Sequence, residues 1–279
     1  MSPPDPFAAC EALLRKADYD RYLAALFAPA AARPHLVALY AFNYEIARTA
    51  ESVSQPVMGQ IRLQWWREAI EELYAGRTRA HEVVTALGEA VRVHALPRAL
   101  FDAVIDAREA DLDEAPFADL ASMQTYAEAT SGHVMQLAAR ILGADGTMDA
   151  AAREAGIAYA LTGLLRALPF SAARRHLVLP TGMLRAKGLS SDDIFAGEAS
   201  PGLTAVIAAI AGAARAHLAA ARALPAPRKF LPALLPAATA PFYLNVLTRP
   251  GFDPFRDASE VPVFRRQFAM LGGMMRGRA

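Results

Sequence analysis

Asp102 and Asp106 stand four residues apart, with Asp111 and Asp113 following, so four carboxylates fall within about three helical turns. Acids at such spacings share one helical face and can hold a hard divalent cation. Arg108 and Glu109 interleave with them, and the stretch runs toward a helix end near Pro116, which fits a salt-bridged surface face better than a metal site. The basic counterpart is Arg166, Arg174 and Arg175, whose guanidinium forks suit a phosphate or carboxylate. Internal pairing with Glu128 or Glu51 is the competing reading, and it would close the site with protein charges alone. His133 and His176 have no other histidine at ligand spacing and read as packing or surface residues.

The elements that must position these groups are helices. Hydrophobic residues make up 54% of the 279-residue chain and alanine is abundant, while clusters of Val, Ile and Thr are few. Proline, glycine and charge divide the chain into windows at 6–16, 18–28, 31–53, 57–75, 79–94, 97–113, 117–143, 147–171 and 200–223, with Ser190 placed to cap one more short helix. No linker separates domains, so residues 1–279 read as a single all-α domain whose part from 225 to 279 is short broken helices and a tail. Leu36, Leu39, Tyr40, Phe42 and Ile46 cover most of one helix circumference, which predicts a buried helix in a bundle around an apolar cavity.

Composition also narrows the function. Lys+Arg 29 against Asp+Glu 28 leaves no electrostatic footprint for nucleic acid. A single cysteine, Cys10, allows neither an internal disulfide nor a cysteine zinc site and suits a reducing cytoplasm. The first residues lack a basic region followed by an apolar core, so no secretory signal is expected. The apolar run from Leu203 to Ala214 stops at Arg215, so no transmembrane segment is expected either. Trp65 and Trp66 read as a bundle anchor or a partner patch. The tail from Phe264 mixes Met, Phe and Arg in a way that suits a membrane surface or partner groove, although its adjacent glycines argue for a frayed end.

Three segments carry a resemblance. Gly156 to Pro180 keeps Gly156, Ala158, Leu161, Thr162, Leu165, Arg166, Leu179 and Pro180 of the pattern G-x-A-x-Q-L-T-N-I-L-R-D-V-x-E-D and its following turn. Ala38 to Ser52 is similar to A-L-Y-A-F-C-R-x-x-D-D-x-x-D-E, and Tyr126 to Gly143 to Y-C-Y-R-V-A-G-T-V-G-x-M-M-A-R-I-M-G. These segments resemble the squalene/phytoene synthases, which implies the isoprenoid synthase fold. In those enzymes the acids hold magnesium against a prenyl diphosphate. Here Ala160, Gly163, Ala167, Phe170 and Ser171 replace the second motif's polar residues, Ala47 and Arg48 replace paired acids of the first, and only Glu51 keeps a carboxylate. Glu128 stands for a tyrosine near the reacting centre, and Asp18 and Asp20 replace two serines of a diphosphate-binding element, where they would repel a diphosphate.

The variant pattern is similar to the complex I assembly factor 6 branch, through Y-A-E-x-T, L-R-A-x-P-F and the arginine pair, Phe230 to Leu235, Ile105 to Asp113 and Ile61 to Leu73. That resemblance implies a non-catalytic accessory factor of respiratory complex I with an isoprenoid or lipid ligand and a complex I subunit or assembly partner. It would be cytoplasmic and peripheral to the inner membrane, and would need no cofactor. The implied cavity residues are Tyr40, Tyr44, Arg48, Glu51, Tyr126, Glu128, Gly132, Thr162 and Arg166, with Arg166, Arg174 and Arg175 as candidate anion binders, and with no catalytic residue or metal ligand among them. The rival is a working prenyltransferase that condenses prenyl diphosphates with Mg2+, drawing on Asp102, Asp106 and Glu128.

Overall fold

The computed structural model describes residues 5–53 and 55–278. Its helices are α1 (Pro6–Ala17), α2 (Tyr19–Leu26), α3 (Arg33–Ala47), α4 (Pro56–Tyr74), α5 (Glu82–His94), α6 (Arg98–Ala107), α7 (Leu120–Ala127) and α8 (His133–Ile141). They are followed by α9 (Asp149–Ala173), α10 (Thr181–Arg185), α11 (Ser191–Phe195), α12 (Pro201–Ala223), α13 (Ala240–Leu247) and α14 (Val263–Arg276). No strand occurs among the described residues. The helix starts follow from local chemistry: Asp5, Asp18, Asp119, Ser190 and Ser200 each accept a backbone N–H of the first turn. One continuous buried cluster runs from Cys10 to Phe252, with α3 at its centre, buried from His35 to Ile46 except at Tyr44.

Three of the expected long helices break before their predicted ends. The 31–53 window leaves α-geometry at Ala47 and resumes as a 3-10 turn at Ala50–Ser52. The 97–113 window becomes a 3-10 segment at Arg108–Leu112, and the 117–143 window is interrupted by a wide π-turn at Glu128–Gly132. Such turns redirect side chains out of the helical register and recur at functional sites. The π-turn also has a packing cause, since a Cβ on Gly156 would overlap the Cα of Gly132. The two backbones can approach so closely because residue 156 has no side chain, whereas a Cβ on Gly132 would come no nearer than 3.5 Å to its neighbours.

The C-terminal part differs from expectation in a second way. Instead of fraying, α14 passes through both glycines, and Gly273 is buried with its Cβ position 3.1 Å from Leu235 Cδ2. Helix α12 runs through Arg215 to Ala223, as the 200–223 window predicts. By length and composition α9 and α12 could each cross a membrane, with mean hydropathy 1.2 and 1.6. The two pack against each other, with half of the apolar window of α9 and 39% of that of α12 buried inside the bundle.

Candidate functional site

The three breaks surround two connected cavities. An inner chamber of about 260 Å³ is lined by Asp18 and Arg21 of α2, Asn43 and Tyr44 of α3, Ser131 of the π-turn, Tyr159, Thr162 and Arg166 of α9 and Tyr243 of α13. It shares Ala47, Arg108, Tyr126 and Leu164 with an outer groove of about 1190 Å³. Ala47 and Glu51 face that groove from one side, and Ala167, Phe170 and Ser171 from α9. The two segments that resemble metal-binding motifs therefore face one space, as their resemblance implied.

The acids in and around the inner chamber are each held by an arginine. Arg21 Nη1 donates to Asp18 Oδ2 at 2.6 Å, its Nη2 reaches Ser131 Oγ at 3.5 Å, and its guanidinium lies 4.9 Å from the Tyr159 ring. Burial opposes the Arg21 charge, but Asp18 outweighs it and the proton is held more tightly than usual. Arg108 Nη1 donates to Asp111 Oδ2 at 3.1 Å and to the Tyr126 hydroxyl at 2.6 Å, and that hydroxyl donates to Asp111 Oδ1 at 2.5 Å. Arg266, from α14, donates to Asp20 Oδ1 at 2.7 Å, and Tyr243 donates to Asp20 Oδ2 at 3.4 Å. Burial raises the Asp20 carboxyl, and the nearby guanidinium offsets part of that rise.

Burial also raises the phenols of Tyr40, Tyr126 and Tyr159, and pushes Tyr243 up to about 12, so all four are neutral donors at physiological pH. The guanidinium of Arg166 lies 3.8 Å from the Tyr243 ring. Several polar atoms here are buried without a hydrogen-bond partner: the Nε of Arg21, Arg108 and Arg166, the hydroxyl of Tyr40 and Oδ1 of Asn43. Unmet donors on three arginines favour a ligand bearing an anionic or strongly accepting group.

The predicted site residues fall into three sets. Tyr44, Tyr126, Thr162 and Arg166 line the inner chamber, with Tyr40 buried behind it 5.8 Å from the Arg21 guanidinium. Glu51, Arg174 and Arg175 lie on the outer groove. Arg48, Glu128 and Gly132 stand outside both cavities: Arg48 pairs with Glu45 at 3.5 Å, Glu128 with Arg153 at 2.8 Å, and Gly132 packs on α9. The competing reading's internal pairing of Arg166, Arg174 and Arg175 with Glu51 or Glu128 does not form. Arg174 instead donates to the Ala50 carbonyl at 3.2 Å, Arg175 pairs with Asp192, and Arg166 lies 4.0 Å from Glu260.

Nor do Asp18 and Asp20 present a repulsive face, because Arg21 and Arg266 neutralise them. Arg21 could have been found three residues after Asp18 in the same D-Y-D-R-Y segment. Arg266, 246 residues from Asp20, leaves no local signal.

The residues present do not fit the magnesium cluster implied by the resemblance. Asp18, Asp20 and Asp111 are each held by an arginine, alanine and serine occupy the motif positions on the groove, and no group of three or more His, Cys, Asp or Glu among the described residues could hold a metal ion. The Asp102 to Asp113 stretch supplies no alternative: Asp102 pairs with Arg98, while Asp106 and Glu109 pair with Arg67 on the surface. His133 and His176 join no metal cluster, and burial lowers the His133 imidazole, so it is neutral. Trp66 is fully buried against Phe42, with Trp65 half-buried beside it.

Residues 14–267 match the squalene/phytoene synthase family. Over 255 residues the chain is 34% identical to NADH dehydrogenase (ubiquinone) complex I, assembly factor 6 of Rattus norvegicus, covering 90% of this chain and 77% of the relative. The Homo sapiens protein of that name is also 34% identical, covering 88% and 75%. Phytoene synthase of Thermus thermophilus is 31% identical over 198 residues, covering 70% and 66%. A crystal structure of a dehydrosqualene synthase in complex with ligand superposes with a TM-score of 0.85 at 18% identity, covering 98% of this chain and 96% of that one. With the fold, the motif frame and the relatives in agreement, the chain belongs to the squalene/phytoene synthase family.

Proposed function

We propose that this chain is a non-catalytic member of its family that serves the assembly of respiratory complex I, with an isoprenoid or related lipid as ligand. The observation that carries the reading is the pair of former motif segments facing one groove with Ala47, Ala167 and Ser171 where acids stand in the resembling enzymes. Ionising an allylic diphosphate needs its leaving charge neutralised by metal ions, and the acids on this groove, Glu51, Asp111, Asp113 and Glu114, form no group of three or more that could hold one. The relatives named complex I assembly factor 6 support the accessory role. In this reading the ligand's polar end sits among Arg21, Arg108 and Arg166, its apolar part lies along α9, and the protein works at the inner membrane as a peripheral component.

Deleting the gene in the cell that carries it tests the accessory role. Assembled complex I and NADH:quinone reductase activity should fall and return with the wild-type chain; normal assembly in the deletion strain would overturn the role. Purified protein supplied with farnesyl or geranylgeranyl diphosphate and Mg2+ should release no diphosphate. Metal-dependent release would restore the prenyltransferase reading.

A further inference from the structure

Helix α14 is apolar on two opposite sides. Its inner side, with Ala269, Met270 and Gly273, is buried against the 3-10 segment Leu235–Thr239 and α2, and Arg266 reaches inward to Asp20. Its outer side carries Phe264, Phe268, Leu271 and Met275 at exposures of 55%, 67%, 44% and 71%. Those residues follow at steps of four, three and four, which at about 100° per residue holds them within about 60° of one another. A scattered exposed apolar residue needs no explanation, but four in one helical stripe mark an interaction surface.

The charges on α14 itself are all positive, and the nearest acid in sequence, Glu260, lies 4.0 Å from Arg166. Arg265, Arg276 and Arg278 are exposed around it, and α14 contains no acid. Arg228 donates to the Met274 carbonyl at 3.1 Å, which brings a further cation to the same end. Burial together with Arg278 and Arg276 lowers the proton affinity of Arg222, as expected where cations crowd. Asp18 and Asp20 on the neighbouring α2 are paired with Arg21 and Arg266 and do not offset this field. A protein groove complementary to the stripe would have to meet four large apolar groups and a one-sided cationic rim together. An anionic lipid surface meets both, taking aromatic and Met side chains at the acyl boundary and guanidinium groups at the phosphates.

We propose that α14 docks this protein on an anionic lipid surface through Phe264, Phe268, Leu271 and Met275, with Arg265, Arg276 and Arg278 contacting lipid phosphates. The Arg266–Asp20 pair fixes the helix to the wall of the inner chamber during docking. This inference is independent of the complex I role, because it is read with lipids alone.

Co-sedimentation of the full chain with vesicles of phosphatidylcholine alone, and of phosphatidylcholine mixed with phosphatidylglycerol, tests it. The wild-type chain should bind the mixed vesicles at least about tenfold more tightly, and added salt should weaken that binding. The triple variant Phe264→Ser/Phe268→Ser/Met275→Ser and the triple variant Arg265→Glu/Arg276→Glu/Arg278→Glu should each lose roughly tenfold or more. Circular dichroism should be unchanged in both, since the altered side chains are exposed. The fluorescence of a Phe268→Trp variant should be quenched by brominated acyl chains at the new indole, a readout that requires no loss of function. Equal binding to both vesicle types, binding unaffected by either triple variant, or an indole at position 268 that brominated lipid leaves unquenched would overturn the proposal. So would a wild-type dimer that the serine variant converts to monomer with no lipid binding in either, because a second copy would then own the stripe.

Discussion

Two regions of the molecule hold aspartates beside arginines, and they have opposite character. Along α6 and the turn after it, Asp102, Asp106 and Glu109 meet Arg98 and Arg67 in solvent, with the acids 38%, 62% and 58% exposed. At the start of α2, Asp18 and Asp20 meet Arg21 and Arg266 with exposures of 17% and 5%. The first region looks more like chemistry in the sequence, because its spacing suits a shared cation. The second places Asp18 and Arg21 in the wall of the chamber, with Asp20 behind it on the Tyr243 hydroxyl. Burial, which spacing alone does not reveal, separates a solvated face from a structural or functional charge, because water screens the first and is excluded from the second.

Arg266→Ala should sharpen the contrast most. It leaves Asp20 buried without its guanidinium, a change worth roughly 3–5 kcal/mol. For a chain of this size that lowers Tm by roughly 6–20 °C. The loss should be pH-dependent. A carboxyl raised above its unfolded value binds its proton more tightly in the folded state, so it costs stability at neutral pH and stops doing so as pH falls below its ordinary value near 4. Thermal melts of wild type and variant across pH 3.5 to 7 check this, and a gap that stays constant over that range would refute it.

Gly156→Ala comes next. The new Cβ would overlap Gly132 Cα and sit 2.5 Å from Gly132 N, which are backbone atoms that cannot rotate away. Overpacking of this kind costs typically 1–3 kcal/mol. Gly163→Ala, on the same helix but with nothing within 4 Å of its Cβ position, is the matched control and should melt at or above wild type. Equal Tm values for the two variants would remove the close-approach explanation of the π-turn.

Tyr126→Phe tests the chamber at a smaller scale. It removes a hydroxyl that accepts from Arg108 and donates to Asp111, while the ring stays against Phe117. The Arg108–Asp111 contact at 3.1 Å survives, so the expected loss is about 1–2 kcal/mol in urea unfolding. A loss above that range would mean that the hydroxyl holds the whole 3-10 segment in place.

How much of this was legible in the sequence differs by region. The all-α class and the central burial of α3 follow from apolar residues placed around a full helical turn, from Leu36 to Ile46. The confrontation of Ala47 with Ala167 and Ser171 was legible only through the resemblance of two distant segments to paired motifs. The helix breaks were not, because Arg108, Glu128 and Arg48 are ordinary helix formers whose departure from α-geometry is imposed by tertiary packing. The neutralisation of Asp20 by Arg266 was equally hidden. A pair separated by 246 residues has no local signature, and the two glycines after it suggested an end too loose to hold a buried ion pair. Helix α14 is instead held down by burial, with Ala269, Met270 and Gly273 on its inner side and Gly273 packed closely under Leu235.

The smallest effect is the one that tests the comparison from its other side. Asp102→Asn and Asp106→Asn remove the acids with the most metal-like spacing in the chain, and each ion pair they break is solvent-exposed. Exposed pairs contribute roughly 0–1 kcal/mol, and Arg67 keeps Glu109 when Asp106 is lost. The double variant should therefore unfold within about 1 kcal/mol of wild type and should support complex I assembly in the deletion strain as well as the wild-type chain does. Added Mg2+ should move the Tm of neither protein, since ligand binding to the folded state alone raises stability and would do so only in the chain that keeps the acids. A magnesium-dependent rise in wild-type Tm that disappears in the double variant would turn this surface into a metal site and reverse the assignment of the two regions.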